Sequence, residues 1–104
     1  MKRLSLDQFV RRMDHVVWKV IDGKGVLLNL EDGAYFEVDP VGLAIWQQFG
    51  GDVTLAEIVQ SIGKKFRADL KRVTRDMMAF VSELKRRKIV EVSEMPVSLS
   101  VSLN

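Results

Sequence analysis

Apolar and polar residues alternate over the first part of the chain, and this alternation predicts strands. Three short runs rich in β-branched or aromatic residues occupy 16–22, 26–30 and 34–38, and links that contain glycine separate them. Such runs between turn residues are typical of strands joined by tight turns. The Asp-Gly pair at 32–33 is a strong hairpin signal. The pattern therefore predicts a three-stranded antiparallel meander.

After the third strand, apolar residues recur every three or four positions, which is typical of helices. An Asp-Pro pair at 39–40 favours a helix start, because aspartate caps helices and proline fits the first helical position. A Gly-Gly pair at 50–51 ends this first helix. A capping box at 54–57 begins a second helix that ends near Phe66. A third helix is predicted from about 69 to 87, and the chain is therefore α+β, a meander followed by three helices.

The two ends of the chain give weaker patterns. Residues 1–14 predict a short N-terminal arm with one or two helical turns, and 89–92 predict a short closing strand. In the C-terminal tail, 93–104, apolar residues alternate with serine. This alternation predicts either an extra strand on a sheet edge or a frayed end. A single domain is therefore expected at 15–92.

Composition points to binding rather than catalysis. The 104 residues include no cysteine and a single histidine, His15, which excludes thiolate nucleophiles, iron–sulfur clusters and multi-histidine metal sites. The sequence has no Gly-rich phosphate loop, no apolar run near the ~20 residues of a membrane span, and no secretory signal at its start. We therefore expect a cytoplasmic protein that is not an enzyme and that uses no metal and no cofactor.

Positive charge is concentrated in the predicted third helix and the residues just before it. Residues 64–88 hold ten of the sixteen Lys and Arg residues but only three of the fourteen Asp and Glu residues. Such a segment attracts nucleic acid, an acidic peptide or an acidic protein. It is also typical of a solvated helix face with short ion pairs. Charge alone leaves these alternatives open.

Residues 25–46, GVLLNLEDGAYFEVDPVGLAIW, resemble the PqqD-like family, also called RiPP recognition elements. The resemblance continues through TLAEIV at 54–59 and through four positions of the third helix. Those positions, which fit the family's V-x-x-D-x-x-x-F-x-x-x-L pattern, are Val73, Asp76, Phe80 and Leu84. The resemblance covers about residues 15–92 and implies a winged helix-turn-helix-like fold.

The resemblance implies a non-catalytic chaperone that binds the leader segment of a ribosomally synthesised precursor peptide. In that family the leader adds a strand to the edge of the third strand, beside the third helix. The implied partners are a precursor leader peptide and a modifying enzyme such as a radical SAM protein or a leader peptidase, without nucleic acid or membrane. The chain itself is expected to be a monomer or a homodimer.

Two other functions are also compatible with the sequence. A winged-helix DNA-binding protein is the alternative that the basic third helix allows, although the regular apolar stripe and the strand-first order favour a peptide groove. An accessory subunit that binds only a partner enzyme has nearly the same sequence requirements as a leader-binding protein.

Strand addition uses backbone groups on a sheet edge, and side-chain pockets give specificity. The candidate edge strand comprises Ala34, Tyr35, Phe36, Glu37 and Val38. The candidate residues of the third helix are Arg72, Val73, Arg75, Asp76, Met77, Met78 and Phe80. Met77 and Met78 either line an apolar pocket or belong to the core. Asp76 either meets the leader or pairs with Arg72. Arg72 and Arg75 either attract leader carboxylates or remain solvated.

Overall fold

The computed structural model describes residues 3–100 of the chain. Its strands are β1 (Phe9–Arg12), β2 (Val16–Ile21), β3 (Lys24–Asn29), β4 (Tyr35–Val38), β5 (Gly50–Thr54) and β6 (Val90–Ser93). Its helices are α1 (Pro40–Gln47), α2 (Leu55–Phe66), α3 (Leu70–Arg86) and α4 (Val97–Ser100). The strands form two antiparallel sheets of three strands each, in the orders β2-β3-β4 and β5-β1-β6.

The meander that the sequence predicts is the sheet β2-β3-β4, which confirms the α+β fold class. The β2–β3 hairpin turns on Asp22 and Gly23, whose φ angles of 52° and 79° fit a two-residue turn with both residues left-handed. β3 therefore starts two residues earlier than predicted. In the β3–β4 link, Gly33 has a φ of 74°, and the Asp32 side chain accepts a hydrogen bond from the Ala34 N–H at 2.9 Å. These contacts fix where β4 begins.

A second sheet is the main departure from the sequence prediction. The N-terminal arm was expected to be helical, but it forms β1, which pairs with β6 on one side and with β5 on the other. The prediction was wrong because these pairings join segments about 40 and 80 residues apart, which local periodicity does not report. The first helix ends at Gln47, before the Gly-Gly pair at 50–51 that was expected to end it, and this pair opens β5 instead. The expected closing strand is confirmed as β6.

Each long helix begins at the side chain that the sequence indicates. Asp39 accepts a hydrogen bond from the Gly42 N–H at 2.7 Å, Thr54 and Glu57 form a full capping box, and Asp69 accepts from the Lys71 N–H at 3.2 Å. These contacts satisfy backbone donors that a helix start leaves unpaired. Among the described residues, the largest fully buried side chains are Trp46, Phe49, Leu27, Leu55, Ile58, Ile62, Met77, Leu84 and Ile89.

Arg12 joins both sheets to the first helix. Its guanidinium lies 5.7 Å from the Trp18 ring centroid on β2 and 5.8 Å from that of Trp46 on α1. It also donates hydrogen bonds to the carbonyls of Trp46 and Gln47 at 2.8 and 3.1 Å, at the C-terminal end of α1. Burial lowers the pKa of Arg12. The two tryptophan rings meet edge to face, with their centroids 6.3 Å apart. Trp46 is fully buried, whereas 38% of Trp18 is exposed.

The C-terminal tail is a helical turn where the structure describes it. The alternation predicted a strand or a frayed end, but residues 97–100 form α4, and residues 101–104 lie outside the described part of the chain. The Ser98 N–H donates to the Asp52 side chain at 3.0 Å, and Val97 packs on Gly51, where any side chain would clash with it. Val97 is half-buried and Leu99 is 55% exposed, so the apolar residues of this segment do not share one buried side. Each helix within residues 3–100 is too short or too polar to span a bilayer.

Candidate peptide-binding groove

The outer edge of β4 has no neighbouring strand among the described residues, because β4 is the last strand of its sheet. In the pairing of β3 with β4, Phe36 lies opposite Leu27, and the Asn29 N–H donates to the Ala34 carbonyl at 2.9 Å. Hydrogen-bonded and non-hydrogen-bonded pairs alternate along an antiparallel ladder. The backbone groups of Phe36 therefore face β3, whereas those of Tyr35 and Glu37 face outward and are positioned to pair with an added strand.

α3 lies beside this edge and runs in the opposite direction to β4. Near the end of β4, a Cβ on Gly42 would lie 3.2 Å from Val38 and 3.9 Å from the ring of Phe80. Near its start, the guanidinium of Arg87, just beyond the end of α3, lies 5.3 Å from the ring centroid of Phe36. Half-buried Phe80 and Phe36 thus lie toward opposite ends of a groove between the helix and the strand.

The Phe36 end of the groove opens into a cavity of about 460 Å³ with charged walls. Its charged lining residues are Glu31, Asp32, Arg86, Arg87 and Lys88. His15 borders this end, since its Nε2 lies 2.9 Å from the Lys88 carbonyl and its Nδ1 lies 3.7 Å from the Glu31 carboxylate. Three bases and two acids meet here, so the end offers both donors and acceptors. Among the described residues, no cluster of three or more acidic or histidine side chains is placed to hold a metal ion.

Glu83 fixes the position of Arg87 above Phe36. Its carboxylate accepts hydrogen bonds from Arg86 and from the Nε of Arg87, the latter at 2.6 Å. These hydrogen bonds, first from Arg86 and then from Arg87, lower the pKa of Glu83 to about 2. Glu83 is therefore ionised at neutral pH, and it neutralises part of the basic end of the helix.

The predicted helix residues divide into two groups in the structure. Asp76 and Phe80 lie on one line along α3, and Glu83 and Arg87 continue it, because steps of four, three and four residues stay on one helix face. Asp76 also pairs with Arg72, at 3.8 Å between Oδ2 and Nε, which is the alternative role that the sequence left open. From Asp76 to Arg87, the side chains on this groove flank are therefore acidic, aromatic, acidic and basic in turn.

Four of the predicted helix residues do not reach this groove. Val73 and Met77 are buried, with Met77 wholly inaccessible, so Met77 belongs to the core and not to a peptide pocket. Met78 is two residues from Phe80 and hence points about 160° away from it, since each residue turns a helix by about 100°. Arg75 lines a separate depression between α2 and α3, with Leu6 among its other lining residues.

Sequence reasoning missed Glu83 and Arg87. Both were counted only as members of a charged segment, because the apolar stripe of the helix received the most weight. The four-three-four spacing from Asp76 was the available signal. This spacing identifies the groove residues only together with the structure, which shows which flank of α3 faces β4.

Three comparisons relate this chain to known proteins. The family model described as Coenzyme PQQ synthesis protein D (PqqD) matches residues 24–90. A curated PqqA binding protein from Rhizobium meliloti (strain 1021) is 32% identical over 72 residues, which is 69% of this chain and 71% of that protein. The solved structure of TbiB1 in complex with the TbiA(beta) leader peptide matches with a TM-score of 0.71 and 34% identity, over 78% of this chain and 94% of that one.

The matched region contains the whole of β3, β4, α1, α2 and α3, and therefore both walls of the groove. The family model covers more than half of the 104 residues, and the curated relative exceeds 30% identity over more than two thirds of its own length. This chain belongs to the PqqD family.

Proposed function

We propose that this chain is a non-catalytic chaperone that binds the leader segment of a ribosomally synthesised precursor peptide and presents it to a modifying enzyme. One observation carries the proposal: the outer edge of β4 faces a groove whose other wall is the Asp76–Arg87 flank of α3. The names of the two relatives support it, since one binds PqqA and the other was solved with a leader peptide.

The leader lies along β4 as a fourth strand of the meander sheet. Tyr35 and Glu37 together supply two N–H donors and two C=O acceptors to it. A backbone hydrogen bond contributes about 0.5–1.5 kcal/mol net, so four of them hold a peptide only moderately. Side chains must therefore supply the remaining affinity and the specificity.

The side chains along the groove recognise a leader with a defined direction. Half-buried Phe80 and Phe36 offer apolar contacts to leader side chains that point toward α3. At one end, the Asp76 carboxylate lies 3.8 Å from Arg72 and 3.4 Å from Arg75, so a leader cation there competes with two arginines. At the other end, Arg86 and Arg87 favour a leader carboxylate. A leader that presents these two charges in the opposite order is expected to bind less tightly.

The chain positions the peptide, and a separate enzyme performs the chemistry. Strand addition immobilises only the leader, so the segment to be modified stays free to enter the active site of that enzyme. Ribosomal synthesis releases the precursor into the cytoplasm, and we place the encounter there.

The test is a backbone-amide NMR titration of the full chain with a synthetic leader from a short precursor encoded beside its gene. Shifts concentrated at 35–38 and along the Asp76–Arg87 flank of α3, saturating at micromolar peptide, are expected. A scrambled leader and a duplex DNA are the controls. Shifts spread along 64–88 with DNA, together with no response to the leader, would replace this proposal with the DNA-binding alternative.

A further inference from the structure

The strand at the opposite edge of the meander sheet, β2, presents an unusual surface. β2 pairs only with β3 among the described residues, so its other side has no neighbouring strand. Five of its six side chains are exposed, and four of these are apolar: Val17 at 46%, Trp18 at 38%, Val20 at 48% and Ile21 at 47%. A long, exposed, apolar edge strand is a template for pairing with another chain.

The outward backbone groups of β2 can be identified from its pairing with β3. The Leu30 N–H donates to the His15 carbonyl at 2.9 Å, in the same register that pairs Val17 with Leu28. Because hydrogen-bonded pairs alternate, the backbone groups of Val17 face β3, whereas those of Trp18 and Val20 face outward. Two residues with four backbone donors and acceptors thus line this free edge.

We infer that two copies of this chain associate by pairing their β2 strands antiparallel, about a two-fold axis at Trp18. The two meander sheets then join into one sheet of six strands. Trp18 lies opposite Trp18 of the second copy, and Val17 lies opposite Lys19 of the second copy. An antiparallel pair of identical strands is self-complementary, as a two-fold interface requires.

Strand length, charge and turn geometry select this register. An axis at Val17 would pair only residues 16–18, because β2 begins at Val16. An axis at Lys19 would place two lysines directly opposite each other, and like charges so placed are destabilising. An axis at Val20 would push the pairing into the turn at Asp22, whose φ of 52° lies outside the strand region. The register at Trp18 avoids all three and overlaps residues 16–20.

A second copy fits the molecule better than an added peptide at this edge. β3 separates β2 from β4, so the dimer leaves both β4 edges free, and each copy keeps its groove. The Trp18 ring is held in place by Trp46 and Arg12, so little side-chain freedom is lost on pairing. The inference does not depend on the leader-binding proposal.

Two opposite charges at Val17 test the register. Val17→Glu places a carboxylate opposite Lys19 of the second copy, twice per dimer, whereas Val17→Lys places a like charge there. In sedimentation equilibrium of the full-length chain, the dimer dissociation constant is expected to be about tenfold lower for Val17→Glu than for Val17→Lys. A monomeric native chain at millimolar concentration, or equal constants for the two folded variants, would overturn the inference.

A disulfide provides a second test, because the chain contains no cysteine. Val17 and Lys19 of the two copies form non-hydrogen-bonded pairs, with Cα atoms about 4.5 Å apart, a separation that a disulfide can bridge. The double variant Val17→Cys, Lys19→Cys is expected to oxidise to a covalent dimer. Val17→Cys with Ile21→Cys is the control for the register centred on Lys19. A dimer only in the control, or in neither, would reject the proposed pairing.

Discussion

Arg87 connects α3 to β4 through a single side chain, and its removal should weaken leader binding. Its guanidinium lies over Phe36, at the charged end of the groove. Arg87→Ala removes a cation–π contact and a base for a leader carboxylate, so a three- to tenfold loss of affinity, roughly 1 kcal/mol, is expected by calorimetry.

Lys85→Ala is the matched control for Arg87→Ala. It removes the same charge from a side chain that points about 160° away from Arg87 on the helix. Equal losses in the two variants would mean that net charge, rather than this contact, determines the affinity.

Glu83 makes the stability of the charged end depend on pH. The hydrogen bonds from Arg86 and Arg87 lower its pKa from 4.5 to about 2. A carboxylate with a lower pKa in the folded state stabilises the fold above its unfolded pKa and loses this contribution as the pH falls. Because this carboxylate is exposed to solvent, Glu83→Gln should lower the free energy of unfolding only modestly at pH 6, and by less at pH 2, where about half of the Glu83 carboxyls are protonated. Urea denaturation at both pH values measures this, with the exposed Glu37→Gln as control.

At the scale of elements, the outward edge of β4 can be blocked without disturbing its pairing to β3. Glu37→Pro removes one outward N–H, and edge strands tolerate proline. We expect at least a tenfold loss of leader affinity, with an amide spectrum that stays folded. Glu37→Gln changes the side chain and keeps the N–H, so it should bind nearly normally. If both variants lose affinity equally, the side chain and not the backbone is the contact.

The elements that the sequence predicted are those whose determinants are local. The meander follows from alternation and from the turn at Asp22, and the long helices follow from capping side chains and a 3.6-residue period. β1 and β5 were not predicted, because these segments of four and five residues form strands only by pairing with strands far away in the chain. On the β4 side, alternation indicated an edge strand, and the structure places β4 at the edge of its sheet. On α3, the candidate groove residues depend on which flank faces β4, and a helical period does not specify that flank.

At the scale of the whole molecule, one sheet offers two free edges with different surroundings. β4 lies beside a charged and aromatic helix flank, which favours a side-chain-specific peptide. β2 carries apolar residues on both faces, which favours an identical strand. Both edges depend on the same central strand, β3, so pairing at one leaves the other available. A dimer of this kind binds two leaders.

Arg12 lies between the two sheets and α1, and the packing of these three elements depends strongly on it. Arg12→Ala removes two hydrogen bonds to α1 carbonyls and contacts with two tryptophan rings, so a loss of about 2–3 kcal/mol in unfolding free energy is expected. The neighbouring Arg11→Ala removes a surface ion pair with Glu91 and should cost less than about 1 kcal/mol. Urea denaturation followed by tryptophan fluorescence compares them. Equal losses would show that Arg12 acts as an ordinary surface arginine.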